Sequence, residues 1–117
     1  MNKNRDDLTI RKQRDFNRIY KRGKSQGSKY IVLLYMKNNS DVDKRAFVAS
    51  KKVGNSVERN RARRLMRAAY REINGIKKGY DIIFVARKNI NEKKMPDVKK
   101  SVLSAMKISN LIDDYRK

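Results

Sequence analysis

The spacing of apolar positions along the chain switches several times between a helical and a strand-like pattern. Apolar side chains that recur every three or four residues predict helices, here at residues 9–22, 57–74 and 97–115. Short runs rich in β-branched and aromatic residues predict strands, here at residues 29–37, 45–50 and 80–86, with a short further strand near 25–28. The predicted fold is therefore α+β: a single-domain sandwich in which helices pack on a small, mostly antiparallel sheet.

Local breakers predict where the helices begin and end. Gly23 is expected to end the first helix and Gly75 the second, since glycine is the usual residue just past a helix C-terminus. Asn55 or Ser56 is expected to cap the start of the second helix, because either side chain can accept a hydrogen bond from an unpaired backbone N–H.

The first two strong strands are expected to be neighbours. Residues 38–43 are polar and predict a turn, so strands 29–37 and 45–50 are expected to pair as an antiparallel hairpin. The unbroken apolar run at residues 30–36 predicts a strand that is buried on both faces.

The charge of the chain narrows the class of its partner. In 117 residues, 32 lysines and arginines oppose 12 aspartates and glutamates, a formal net charge of +20. A compact domain with that charge attracts polyanions, which leaves RNA, DNA, anionic membrane and acidic protein as candidates. The chain has no cysteine and no histidine, which removes thiolate metal sites and the commonest general base.

Membrane and secretory roles are disfavoured. The longest apolar run falls far short of the ~20 residues that a membrane span needs. Residues 1–8 are polar, are expected to be loose, and lack the apolar core of a signal peptide. We therefore expect residues 1–117 to form one cytoplasmic domain.

Basic residues concentrate between residues 44 and 71, where ten lysines and arginines accompany one acid, Glu58. On a helix, one face then carries a row of arginines at i, i+4 spacing: Arg59, Arg63, Arg67 and Arg71. A different arc is apolar: Ala62, Leu65, Met66, Ala69 and Ile73. A helix whose charges serve only solubility normally interleaves acids, because like charges at i, i+4 are destabilising. Guanidinium groups also suit bidentate contact with phosphate, so this face predicts a polyanion-binding site rather than an ordinary solvated face.

The run from Ser50 to Leu65, SKKVGNSVERNRARRL, closely resembles the signature of the bacterial ribonuclease P protein subunit, including the core formed by residues 59–61. The resemblance extends to the first helix, where Arg14, Asp15, Phe16 and Tyr20 match, and to residues 80–87. It covers nearly the whole chain in the family's order. It implies an α/β sandwich similar to a ribosomal small-subunit protein domain, with a left-handed β-α-β crossover around the arginine helix.

The resemblance also implies an accessory role. The family subunit binds a large catalytic RNA and the 5′ leader of precursor tRNA, and the RNA with Mg²⁺ makes the cut that yields the mature 5′ end. The chain itself is then expected to hold no catalytic residue, no metal and no cofactor. It is also expected to have no membrane or small-molecule partner and to be monomeric when free.

By the same resemblance, two sets of residues would contact RNA. Those that would bind the catalytic RNA are Lys52, Asn55, Arg59, Asn60, Arg61, Arg63, Arg64 and Arg67. Those that would hold the leader, in a cleft between the first helix and the sheet, are Phe16, Tyr20, Ser50, Lys51, Arg87 and Lys88. Aromatic rings beside cations suit a single-stranded site, since bases stack on the rings while the cations follow the phosphates.

Some of these assignments have open alternatives. Phe16 would serve equally well in ordinary core packing, and Arg87 with Lys88 as ordinary surface charge. Tyr30 and Tyr35 have opposite parity in their strand, so at most one of them should face the cleft.

Three other functions fit parts of the pattern. A ribosomal or ribosome-associated RNA-binding protein would present a similar arginine helix, and the RNA that copurifies with the chain would distinguish it. A self-sufficient nuclease is disfavoured, because the paired carboxylates lie at the termini or in a turn rather than at strand ends beside a basic partner, as a two-metal site requires. A DNA-binding helix-turn-helix is disfavoured by the strands on both sides of the basic helix.

Overall fold

The computed structural model describes residues 9–112, and its elements follow the predicted order of helix, strands, helix, strand and helix. They are α1 (Gln13–Arg22), β1 (Lys24–Gly27), β2 (Ile31–Lys37), β3 (Lys44–Val48), α2 (Ser56–Arg71), β4 (Tyr80–Ala86) and α3 (Met95–Ile108), with one 3₁₀ turn at Lys88–Ile90. The expectation for residues 1–8 lies outside the described residues.

The four strands form one mixed sheet in the order β1-β2-β4-β3. β2 pairs antiparallel with both β1 and β4, whereas β3 lies parallel to β4 at the edge. The α+β class, the mostly antiparallel sheet and the short first strand are thus confirmed. The predicted hairpin between residues 29–37 and 45–50 is wrong, because β4 lies between these strands. β4 is buried without a break from Asp81 to Phe84, and a strand that is apolar on both faces is stable only where both faces are covered.

One face of the sheet carries the main core. α2 connects β3 to the parallel β4, so the predicted β-α-β crossover is present; its left-handedness stays a prediction. α2 packs there with α3, and the fully buried side chains of this layer include Leu33, Met66, Ile82, Phe84, Val102 and Met106. The apolar arc predicted for the second helix is confirmed, with Ala62, Met66 and Ala69 buried.

The other face is covered only in part, because α1 is its only helix within the described residues. Ile19 of α1 packs on Ile83 and Ala46 together with Ile10. Arg18 of α1 also lies 3.5 Å from the buried carboxylate of Asp81, which anchors the helix over β4. β2 is therefore buried on the α2 side but only half-buried on the α1 side, so the prediction of burial on both faces is wrong for the second face.

Several helix ends differ from the predictions. α1 begins at Gln13 rather than at residue 9, because the segment before it pairs with the sheet edge and the Ile10 N–H donates to the Arg45 carbonyl at 2.9 Å. α2 ends at Arg71, and Gly75 follows with a positive φ of 80°. The helix was predicted to continue to residue 74 because the buried Ile73 extends the apolar pattern beyond the actual end of the helix.

The last helix also differs from its predicted range. α3 begins at Met95, with a proline in its first turn, and ends at Ile108. Leu111 is buried beyond the helix, and Ile112 forms a bridge with Ile76. The rest of the predicted helix, residues 113–115, lies outside the described residues. Within residues 9–112, none of the helices has the length and apolar character needed to cross a membrane.

Candidate RNA-binding surfaces

The start of α2 is fixed by a capping box. The Asn55 side chain accepts from the Glu58 N–H at 2.9 Å, and the Glu58 carboxylate accepts from the Asn55 N–H at 2.9 Å. Of the two predicted caps, Asn55 is thus the one used. Gly54, at φ 147°, leaves room for the Glu58 carboxylate, which a side chain at Gly54 would meet. The only acid between residues 44 and 71 is therefore engaged with backbone N–H groups instead of neutralising an arginine.

The arginine face, which we define as Arg59, Arg63, Arg64, Arg67 and Arg71, lies on the solvent side of α2. Arg63 donates to Asn60, and Arg59 donates to Ser56 at 3.5 Å. Among residues 9–112, the salt bridges join Arg18 to acids of α1 and β4, and Lys99 to Glu72. None involves the arginine face, so its positive charge is uncompensated by any described carboxylate in ion-pair range.

Arg61 differs from its neighbours. Like Arg59 and Arg63 it is half-buried, but its Nη2 donates to a sequence-distant partner, the Lys93 carbonyl just before α3, at 2.6 Å. Nearby, the Asn91 side chain donates to the Val53 carbonyl at 2.5 Å. These bonds join the segment between β4 and α3 to the start of α2, so Arg61 has a structural contact that the sequence did not predict.

A basic groove opens at the C-terminal ends of β3 and β4. It has a volume of about 1040 Å³. The predicted residues among its lining are Ser50, Lys52, Arg87 and Lys88, and the unpredicted cations are Lys29 and Lys93. Lys51 is exposed in the adjacent turn but does not line the groove. The structure thus places Lys52, predicted to bind the catalytic RNA, beside residues predicted to bind the leader.

Arg87 is held in a defined place at one side of this basic groove. Its Nε donates to the Ile31 carbonyl at 3.4 Å, and its backbone N–H donates to the Tyr30 carbonyl at 2.9 Å. The guanidinium lies over Gly27, where any side chain would meet it. Arg87 is therefore more than a mobile surface charge, the alternative left open by the sequence.

Phe16 and Tyr20 lie one turn apart on α1. Their rings are nearly parallel, with centroids 6.4 Å apart. Tyr20 is 50% exposed, whereas Phe16 is half-buried and packs against the α1-side core. Phe16 therefore takes part in core packing, and its contact with the leader stays a prediction, whereas the ring of Tyr20 is exposed to solvent.

A row of half-buried valines crosses the α1 side of the sheet and reaches the basic groove. Val32 and Val48 are the register partners of Val85, so the three cross the sheet in one row on the α1 side. Val85 packs against the same α1-side core as Phe16, and it also lines the groove. Alternation along the three strands could have identified this valine row, but only once the strand order was known.

Neither Tyr30 nor Tyr35 belongs to this cleft. Both pack against the core on the α2–α3 side, where Tyr35 meets Tyr80 at 6.4 Å between ring centroids. Tyr35 shares the parity of the buried Ile31 and Leu33. Tyr30 precedes β2, and the Lys93 ammonium lies 5.4 Å from its ring centroid.

Two side chains near the C-terminal half of α2 have shifted pKa values. Burial raises the pKa of the Asp43 carboxyl above its usual 3.8, although hydrogen bonds from Tyr80 and Gly79 oppose the shift. Burial likewise raises the pKa of the Tyr70 hydroxyl above 10.0, with Arg45 acting in the opposite direction.

The fold and these surfaces together define a class of protein. A small basic α+β domain with an uncompensated arginine helix, a basic groove and an exposed aromatic ring has the features of a single-domain RNA-binding protein.

Comparison with known proteins identifies the family. The family model described as Ribonuclease P matches residues 5–109. The ribonuclease P protein component of Clostridioides difficile is 41% identical over 105 residues, covering 87% of this chain and 91% of the relative. The RNase P protein of Staphylococcus aureus has a TM-score of 0.81 at 30% identity, covering 91% and 98% of the two chains. That of Thermotoga maritima has a TM-score of 0.77 at 32% identity, covering 86% and 96%. The chain belongs to the ribonuclease P protein family.

Proposed function

We propose that the chain is the accessory protein subunit of a cytoplasmic ribonuclease P ribonucleoprotein. In this assembly the RNA subunit, with Mg²⁺, cuts precursor tRNA to give the mature 5′ end, and the protein binds both RNAs. The observation that carries the proposal is the arginine face within the family signature, whose one nearby acid is engaged in the capping box.

The arginine face is the surface for the catalytic RNA. Its side chains project from a helix that is held rigidly by the core, so they face a polyanion with little rearrangement. Each phosphate that an arginine neutralises releases condensed counterions, so the affinity should fall steeply with salt. Asn60 and Arg61 lie within this surface, with Arg61 also tied to Lys93.

The leader site runs from the rings of α1 across the valine row to the basic groove. Tyr20 and Phe16 offer stacking faces to unpaired bases, and Arg87, Lys88 and Lys52 offer cations to the phosphates beyond them. This order of rings and cations suits a single strand, because stacking is open to every base while the cations follow the backbone. The site thus binds a leader with little regard to its sequence.

The reaction itself tests this function. The purified chain is mixed with the catalytic RNA of its own organism and a precursor tRNA, at a Mg²⁺ level where the RNA alone is slow. We expect cleavage at the mature 5′ end to become faster, because a protein of charge +20 offsets repulsion between two RNAs that metal ions otherwise offset. The chain without RNA should cut nothing.

Matched variants make the test specific. Arg64→Ala removes an exposed cation of the arginine face and should weaken the stimulation, whereas Lys100→Ala, exposed on α3 and lining neither surface, should preserve it. No stimulation by the wild-type chain, or robust cleavage by protein free of RNA, would refute the proposed function.

A further inference from the structure

A separate cleft of about 740 Å³ lies at the β3 edge of the sheet, beside the C-terminal half of α2. Arg45 lines it from β3, Arg67 and Arg71 line it from α2, and Arg11 lines it from the segment before α1. Apolar groups form much of the remaining lining, among them Phe16, Phe47 and Tyr70. We call this surface the edge cleft; Arg67 and Arg71 also belong to the arginine face, whereas Arg45 has no assigned role.

Two of the guanidinium groups in the edge cleft are held on aromatic rings. The Arg67 Cζ lies 5.3 Å from the Phe47 ring centroid, and the Arg45 Cζ lies 5.2 Å from that of Tyr70. Phe47 and Tyr70 meet edge to face at 5.9 Å, and each also packs on the fully buried Phe84. The rings are thus part of the core, so both cations rest on a rigid base.

The contacts with the rings position Arg45 and Arg67 to bind an anion. A guanidinium held beside a ring keeps donors for phosphate oxygens, since it carries several N–H groups. Arg45 uses part of its set in a side-chain hydrogen bond with Tyr70. Holding the side chain beforehand also lowers the entropy cost of binding. A lysine in the same place would carry the charge but would lack the planar group that stacks and donates two parallel bonds.

The edge cleft also carries positive charge. Within residues 9–112 no salt bridge involves Arg45, Arg67 or Arg71. Asp43 lies close enough to interact electrostatically with Arg45, and its Oδ1 accepts from the Tyr80 N–H at 3.3 Å. The described lining of the cleft contains four arginines, counting Arg11, and no acid, so this part of the surface carries an excess of positive charge.

We propose that the edge cleft binds backbone phosphates of the RNA that occupies the arginine face, with Arg45, Arg67 and Arg71 as the phosphate-binding residues. The proposal rests on the proposed function, since it extends the same RNA contact around the sheet edge. Arg67 and Arg71 belong to both surfaces, so an RNA strand leaving the arginine face meets the edge cleft without a gap.

Binding of the catalytic RNA to full-length variants tests the edge cleft, measured at several salt concentrations. Arg71→Ala removes an exposed side chain that takes part in no salt bridge within residues 9–112, so it should leave the fold intact. Arg45→Ala and Arg45→Lys separate charge from stacking. Arg22→Ala is the matched control, an exposed arginine at the end of α1, outside the edge cleft. Circular dichroism checks the folding of each variant.

The expected pattern differs among the variants. Arg45→Ala and Arg71→Ala should each bind about tenfold more weakly, the loss of a charge-assisted contact. Each should also reduce the slope of log K against log salt by about 0.9, one phosphate contact. Arg45→Lys should lose at least about threefold in affinity although its charge, and therefore its salt slope, is kept. Arg22→Ala should bind as the wild type does.

The outcomes distinguish the edge cleft from the proposed function. If the wild-type chain fails to bind the RNA, the proposed function falls and the inference falls with it. If the wild type binds the RNA and both Arg45→Ala and Arg71→Ala bind it as tightly as the wild type does, the proposed role of the edge cleft is refuted while the proposed function stands. If Arg45→Lys binds the RNA as tightly as the wild type and Arg45→Ala does not, positive charge alone accounts for the affinity. A phosphate site that depends on guanidinium groups held beside rings is then refuted.

Discussion

Replacing Arg63 by glutamine should stabilise the free protein and weaken its RNA complex. Arg63 lies between Arg59 and Arg67 at i, i+4 spacing on α2 and takes part in no described salt bridge. Like-charge pairs at this spacing cost roughly 0.2–0.5 kcal/mol each. Glutamine removes the charge, keeps most of the apolar stem and has a similar helix propensity.

The magnitude follows from the two pairs that the substitution relieves. Their removal should raise the free energy of unfolding by about 0.4–1 kcal/mol at low salt. For a domain of this length that corresponds to a rise in Tm of about 2–4 °C. The gain should shrink in 1 M salt, where the Debye length of about 3 Å is shorter than the spacing of the side chains.

Thermal unfolding followed by circular dichroism measures the gain, and RNA binding measures the loss. Lys100→Gln on α3 is the control, since the charged residue at i±3 or i±4 from Lys100 is Asp97, of opposite sign, and no like-charge pair is relieved. It lowers the net charge equally but should not raise Tm. For Arg63→Gln we expect the salt slope of RNA binding to fall by about 0.9. An unchanged or lower Tm at low salt, or a gain that 1 M salt leaves intact, would refute the repulsion argument.

Three further changes test other parts of the molecule. Tyr20→Ala should weaken precursor-tRNA binding to the assembled ribonucleoprotein by about 1–3 kcal/mol, the loss of one stacked base, and should spare mature tRNA; an equal loss for both tRNAs would contradict the leader site. Glu58→Ala should lower the free energy of unfolding by about 1 kcal/mol through loss of the capping box, measured by urea denaturation, and an unchanged midpoint would contradict that role. Asp43→Asn should raise Tm at pH 7, because burial raises the pKa of Asp43. Its contribution to stability is therefore complete below pH 3.8 and lost as the pH rises through the folded-state pKa; the difference between variant and wild type should vanish near pH 3.5, and a less stable variant at pH 7 would contradict this.

Local signals in the sequence were enough for the elements that position the arginine face. The Asn55 cap and the apolar arc of α2 depend on neighbours within a few residues, and both are confirmed. The range of β4 was predicted correctly for the same reason, since its apolar run ends at charged or polar residues. Properties that depend on sequence-distant partners were not predicted. The pairing of β3 with β4 is one, and the Arg61 bond to Lys93 is another.

The placement of aromatic side chains shows the same limit. Alternation showed that Tyr30 and Tyr35 could not both face the α1 side, but it could not show that neither does. That outcome depends on which face of the sheet α1 covers, and α1 is fixed by the contact of Arg18 with Asp81, 63 positions along the chain. The valine row was missed for a related reason, because its members lie on three strands whose order is not readable from any one of them.

The arginine face also explains how a helix with repelling charges stays folded before RNA is bound. Its repulsion is worth tenths of a kcal/mol per pair, whereas the capping box and the buried Ala62, Met66 and Ala69 act in the opposite direction. Using the only nearby acid as a cap, instead of as a salt-bridge partner, stabilises the helix without neutralising its face. Binding of phosphates relieves the remaining repulsion between the arginines. Part of the free energy of RNA binding therefore comes from removing a destabilising interaction that is present in the free protein. The affinity for RNA and the stability of the free protein are therefore linked on the same helix. A substitution that removes a charge there should raise the stability and lower the affinity.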